Sequence, residues 1–319
     1  MKKQFLGLVL FAVVSFVYAA GQQDDTPTVV FGDNNYDSVQ VHNRIAGFIL
    51  ENGYGGYEAR YVPGDTIPLI NGISAGDVHV LMESWHENYL DVYTEEIQSG
   101  DIVNIGDNMP KAPQGWYIPR YVVEGDSSRG IDPIAPGLQS VSDLPDYWEL
   151  FQDPENPDRG RILVGPPGWA ATEVGQGIMD ENGLNETFTA VLPGSGTALN
   201  ASLVSAYQRG EPWLGYNWEP TAIVGRLDLI LLEGSEFPPT SVDVLVADEF
   251  VEDYPEVTAF LERYYTTLEQ NNVTLAAMED QGLDAQGAAL FFLREYEDTW
   301  TEWVSAEVAD RVRAALAAQ

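Results

Sequence analysis

The 319-residue chain contains no cysteine. It therefore forms no disulfide, and it cannot carry the lipidated cysteine that anchors a bacterial lipoprotein. Histidine is nearly as scarce, and His79 and His86 stand in no His-Glu-x-x-His pattern, so no metal site is expected. Gly-x-Ser-x-Gly is missing too, and "GSGTALN" (194–200) lacks the Gly-Lys-Ser/Thr ending of a phosphate loop, which leaves it a helix entry. Without a nucleophile motif or an acid–base pair, the chain is expected to be no enzyme and to need no cofactor. Basic residues are few, 15 Lys and Arg against 50 Asp and Glu, for a formal net charge of -35 at pH 7. Such a field repels nucleic acid and anionic lipid surfaces and favours cations, although solubility in a salty environment accounts for it equally. The longest apolar run, Phe5 to Tyr18, falls short of the ~20 residues that span a bilayer. Behind Lys2 and Lys3, and ending in small residues at Ala19, it reads as a cleaved secretory signal over 1–19. A soluble periplasmic protein, not inserted in the membrane, is the expectation.

With 45% hydrophobic residues the rest can build a large core. At roughly 100 to 200 residues per domain, its length suggests two lobes. "TVVF" (28–31) reads as a buried strand, and the next stretch puts Val41, Ile45, Phe48 and Ile49 at helical spacing, with Asp37 or Ser38 as cap and Gly53 as stop. "YEARYV", "DTIPLINGISAG" and "VHVLME" continue as strand, helix and strand, the last ending beside Trp85. "RILVG" and "EPWLGYNW" are strands around the helix "TALNASLVSAYQRG", and "SVDVLVAD" is a strand of the final third. The alternation predicts an α/β fold of mostly parallel sheets flanked by helices. Long helices are expected over 255–270 and 285–304, the second with Ala289, Phe292, Tyr296, Trp300 and Trp303 or Val304 on one core-facing side.

Four other tryptophans stand at turn signals: Trp85 in "MESWHENY", Trp116 in "QGWYIPRYV", Trp169 in "GPPGWAATE" and Trp218 in "GYNWEP". Open α/β sheets bind ligands at the carboxyl ends of their strands, so aromatics from several strand ends can converge on one cleft. Their π faces suit a diffuse, weakly hydrated cation such as a quaternary ammonium, at ~0.5 to 2 kcal/mol per contact. The same rings could stack on sugars or close a hydrophobic core, and the residues alone leave these readings open. Glu83 and Glu219, each near a tryptophan, are the one pair that a glycosidase could use.

In their order and spacing, "GDVHVLMESW", "QGWYIPRYVV", "GPPGWAATE" and "GEPWLGYNWEPT" resemble the substrate-binding proteins of glycine betaine and related quaternary-ammonium ABC importers. The resemblance runs from "FGDNNYDSVQVHNRIAGFILENGY" to the closing tryptophan-bearing helix. It implies a two-lobed periplasmic-binding-protein fold with a ligand cleft between the lobes, lobe 1 over 26–118 and 222–319 and lobe 2 over 119–221. It also implies an aromatic cage around a trimethylammonium head, with Trp85, Trp169 and Trp218 as walls and Tyr36 where the family often has an aromatic. Ala170 and Ala171, at a helix start, would offer N–H groups to a carboxylate. Trp116 and Tyr117 are either cage or hinge packing, and Arg120 either meets the carboxylate or pairs with a neighbouring acid. The function implied is capture of glycine betaine or a relative by a monomer and its delivery to a membrane permease. Choline, carnitine or a polyamine are the alternative ligands; a secreted carbohydrate-active enzyme is the rival of another class.

Overall fold

A computed structural model describes residues 26–224, 226–238 and 240–319. The expected signal over 1–19 lies outside them. β1 (Thr28–Asp33), β2 (Glu58–Pro63), β3 (Val80–Ser84), β4 (Ile102–Ala112) and the late strand β10 (Thr240–Ala247) form one sheet, in the order β2-β1-β3-β10-β4. A second sheet holds β5 (Gln114–Pro119), β6 (Gly160–Leu163), β7 (Phe188–Val191), β8 (Gly215–Trp218) and β9 (Leu229–Leu231), in the order β7-β6-β8-β5-β9. Each sheet is mixed. β1 runs parallel to β2 and β3, and β6 to β7 and β8, whereas β10 and β5 are antiparallel to both their neighbours.

Burial follows position in the sheet. Central β1 is covered on both faces, as the continuous run Val29-Val30-Phe31 requires, while edge strand β2 is half exposed and closes on Pro63. The helix Asp37–Ile49 presses Val41, Ile45, Phe48 and Ile49 into a first core shared with Phe260, Phe292, Trp300 and Trp303. A separate core behind the second sheet gathers Trp116, Ile118, Ile162, Phe188, Leu199 and Trp213. No helix among the described residues is long and apolar enough to cross a membrane.

The chain leaves the first sheet and enters the second across Pro113 alone, and it returns between Leu231 and Thr240. Both crossings differ from the sequence-based boundaries. Residues 114–118 and 229–231 belong with the second sheet because the hydrogen bonds of β5 are met by β8 and β9, and all six residues of β5 are buried there. The two long helices expected near the C-terminus are also interrupted. Pro255–Leu261 ends early, and Leu268–Gln281 starts afresh where Thr267 and Gln270 cap each other reciprocally. The second breaks at Tyr296, whose φ of -115° and ψ of 45° are not helical, yet Trp300 and Trp303 still reach the core. The Trp300 indole donates to the Leu293 carbonyl at 2.7 Å.

Candidate functional site

Four aromatic residues sit at, or just past, the carboxyl end of a strand. Tyr36 follows β1 and precedes the helix Asp37–Ile49; Trp85 directly follows β3. Trp169 ends the turn after β6 and occupies the N-cap of the helix Ala170–Glu181, and Trp218 closes β8. Two come from each sheet, and all four line one cavity between the lobes, with Asn34, Glu83, Tyr89, Ala170 and Ala171. The fold brings the lobes close here. Gly168 has φ +86°, and a Cβ on it would come 2.5 Å from Asp65 Oδ2 of the opposite lobe, so only glycine lets the Pro-Pro-Gly turn seat.

The rings stand nearly perpendicular to one another. Tyr36 and Trp169 have centroids 5.4 Å apart at 73°, Tyr36 and Trp218 6.0 Å at 82°, and Trp169 and Trp218 5.3 Å at 80°. Tyr216, which also lines the cavity, stacks on Trp218 at 5.6 Å and 17°, and its hydroxyl donates to Gln114 Oε1 at 2.9 Å. The free space is about 40 Å³. So small a space suits a compact guest.

One acid is built into the wall. Glu83, on β3, is 2% exposed, and its Oε2 accepts from Ser38 Oγ at 3.1 Å and Trp85 Nε1 at 3.4 Å. Oε1 has no hydrogen-bond partner and lies 3.5 Å from Nε2 of His42. Burial pushes the Glu83 carboxyl up to about 8, so it is mostly protonated at neutral pH. Burial also holds His42 down at about 3, hence neutral, and its Nδ1 is hydrogen-bonded to the Tyr264 hydroxyl at 2.6 Å. Among the described residues, no Lys or Arg lines the cavity.

Three residues singled out in the sequence lie elsewhere. Trp116 and Tyr117 are strand residues of β5; Trp116 is 0% exposed in the second core, and neither lines the cavity. Arg120 begins a short surface helix and is ion-paired with Asp228 at 2.7 Å and Glu124 at 3.0 Å, so its charge is spent on neighbouring acids. Glu219 does not line the cavity either, so among its described lining residues Glu83 has no second carboxylate for glycosidase chemistry. Glu83 itself was noticed in the sequence only as half of that pair. Its signal is an acid directly after the apolar run Val80-Leu81-Met82, on a strand whose every residue is buried.

Behind the edge formed by Tyr36 and Trp218, a groove of about 660 Å³ runs between the lobes past Asn200, Ile223, Leu275 and Met278. Arg226 bridges near it, pairing with Glu279 at 3.0 Å and Asp280 at 2.8 Å and donating to the Ala276 carbonyl on the helix Leu268–Gln281.

The chain as a whole has counterparts. The chain is 27% identical over 241 residues, 75% of its length and 73% of the relative's, to a trimethylamine N-oxide-binding protein of Pelagibacter ubique (strain HTCC1062). Among solved structures, a choline-binding protein of an ABC transporter in complex with choline superposes with a TM-score of 0.76 at 18% identity, covering 91% of this chain and 98% of that one. The glycine betaine/L-proline-binding protein ProX of Borrelia burgdorferi gives 0.75 at 18% identity, over 89% of this chain and 99% of that one. Lactococcal OpuAC, closed on glycine betaine, gives 0.71 at 15% identity, over 88% and 100%. At such identities these structures establish the two-lobed fold. The profile of substrate-binding domains of ABC-type glycine betaine transport systems matches residues 27–295, and the chain belongs to that family.

Proposed function

We propose that the chain is the solute receptor of an ABC importer, that its aromatic cavity is a cage for a trimethylated nitrogen, and that the ligand is trimethylamine N-oxide. The supporting observation is the trio of mutually near-perpendicular rings, Tyr36, Trp169 and Trp218. Walls so spaced can face a common point roughly 4 Å from each ring plane, inside the ~6 Å over which a ring attracts a cation. Trp85 closes the cage from the first lobe. The protonated carboxyl of Glu83 suits an oxygen attached directly to that nitrogen, because it can donate one strong hydrogen bond without adding charge. Glycine betaine, favoured by the sequence, would bring a full carboxylate into a cavity with no cationic lining residue, and an unpaired buried charge costs several kcal/mol. It remains the second candidate on one observation: the first-turn amides of Ala170 and Ala171 have no intrahelical acceptor and line the cavity. Carnitine and polyamines are poorly matched to so small a space. In this proposal the closed receptor, outside the cytoplasmic membrane, hands its ligand to the permease and performs no chemistry.

Calorimetric titration of the purified chain with trimethylamine N-oxide, glycine betaine, choline and spermidine is the test. The N-oxide should bind most tightly. Tighter binding of glycine betaine would transfer the assignment to it, and a response to spermidine alone would overturn the cage.

A further inference from the structure

Asn88, Tyr89 and Tyr216 line the cage but spend their polar atoms inside the protein. Asn88 and Gln114 exchange amide hydrogen bonds at 3.2 Å in each direction, the Tyr89 hydroxyl meets Ser84 Oγ at 2.6 Å, and the Tyr216 hydroxyl is held by Gln114. Asn34 differs. It directly follows β1, lines the same cavity and is 3% exposed, and among the described residues neither atom of its carboxamide makes a hydrogen bond. Its main chain is nevertheless fixed, because the carbonyl accepts from the Tyr36 N–H and from Gln40 Nε2, each at 3.0 Å. The neighbouring Asp33 is taken by Asn43 at 2.8 Å and by Arg44. A buried amide left without partners is costly and calls for one from elsewhere. The cage is the space beside it that can hold one.

We infer that the Asn34 carboxamide reads the oxygen-bearing end of the ligand, donating through Nδ2 to an oxyanion and accepting at Oδ1 from a hydroxyl, so that one cage admits both kinds of trimethylated solute. A carboxamide carries two N–H donors on one atom and two lone pairs on the other, and a half-turn of the group exchanges them within the same outline. Trimethylamine N-oxide, whose oxygen only accepts, takes the N–H; choline, whose hydroxyl donates, takes the oxygen. A neutral amide does this without the positive charge by which Lys or Arg would repel the trimethylated head. The inference rests on the proposed cage, and tetramethylammonium, the same head without an oxygen, separates the two.

The test is calorimetry with trimethylamine N-oxide, choline and tetramethylammonium on the unmodified chain, on Asn34→Leu, which keeps the branching and removes both polar atoms, and on Asn34→Asp, which keeps only acceptors. In Asn34→Leu both oxygen-bearing ligands should weaken about tenfold relative to tetramethylammonium, the worth of one good hydrogen bond. Asn34→Ala supplies the same ratios if the melting curve shows that leucine prevents folding. In Asn34→Asp the ratio of choline to tetramethylammonium, from which the added charge cancels, should be kept. Equal weakening of all three ligands by leucine or alanine would mean that Asn34 only shapes the wall, and would overturn the inference. Loss of the choline ratio in Asn34→Asp would overturn it too. If tetramethylammonium binds the unmodified chain as tightly as both oxygen-bearing ligands, the inference falls and the cage stands; a response to none of the three removes the cage and the inference with it.

Discussion

Replacing Trp169 by leucine tests whether the cage reads charge or only shape. Trp169 is 6% exposed, stands edge-on to Tyr36 and Trp218, and is held by the Pro-Pro-Gly turn, so leucine removes one π wall and keeps an apolar surface in its place. A ring facing a cation in a water-excluded site contributes ~2 kcal/mol, the upper end of the usual range, or roughly 30-fold in affinity. Lost apolar contact and any change in lobe closure add to this, but they act equally on a neutral guest of the same shape. Choline and 3,3-dimethylbutan-1-ol differ only in nitrogen against carbon at the trimethylated centre. Competition calorimetry with both, on the unmodified chain and on Trp169→Leu, isolates the charge-dependent part as a double difference. Choline should lose about 30-fold more than the neutral alcohol. Equal losses would show that the wall excludes water and packs but does not recognise the cation, and the cage reasoning would fail.

Stability should depend on pH through Glu83. Its carboxyl rises from 4.5 to about 8 on folding, so the stabilisation of the folded protein is complete below about pH 4.5 and is lost as pH rises through 8. Subtracting the melting profile of Glu83→Gln from that of the unmodified chain should reveal this slope, and parallel profiles would contradict the assigned protonation. Trp300→Ala should cost ~3–5 kcal/mol of unfolding free energy in denaturant titrations while the folded fraction keeps its affinity, because Trp300 is wholly buried in the first core. Arg226→Ala removes half-exposed ion pairs between the lobes, worth ~0.2–1 kcal/mol. Stopped-flow release should be up to about fivefold faster, with the difference shrinking as salt is raised. Arg120→Ala should leave the calorimetric affinity unchanged, since its guanidinium is held on the surface by Asp228 and Glu124.

Trp85, Trp169 and Trp218 were legible as a convergent set because their neighbours are chain-direction signals: a strand that ends, a Pro-Pro-Gly turn, an apolar run stopped at Glu219-Pro220. Trp116 has a similar local look, but its place depends on which sheet accepts its hydrogen bonds, and β8 and β9 are about a hundred residues away. For Arg120 the sequence left a ligand carboxylate and a neighbouring acid open; the structure shows the acid pairing, and the partner Asp228, 108 positions distant, could not be named in advance. Glu83 shows the converse limit. The sequence presents it as a carboxylate, and only burial makes it a neutral acid. The C-terminal helices kept their hydrophobic period across the break at Tyr296, so periodicity located Trp300 and Trp303 in the core while concealing the interruption.

Three aromatic lining residues ride on each lobe, Tyr36, Trp85 and Tyr89 on the first, Trp169, Tyr216 and Trp218 on the second, and the chain crosses between the lobes at Pro113 and returns before Thr240. In the proposed cage, parting the lobes would leave each half only its own ring faces, so the enclosure as a whole would not survive the separation. On that proposal, the residence time of a bound solute would be the lifetime of lobe contact itself. A permease that held the two lobes apart would then need no further device to eject the cargo, because opening and unloading would be the same event.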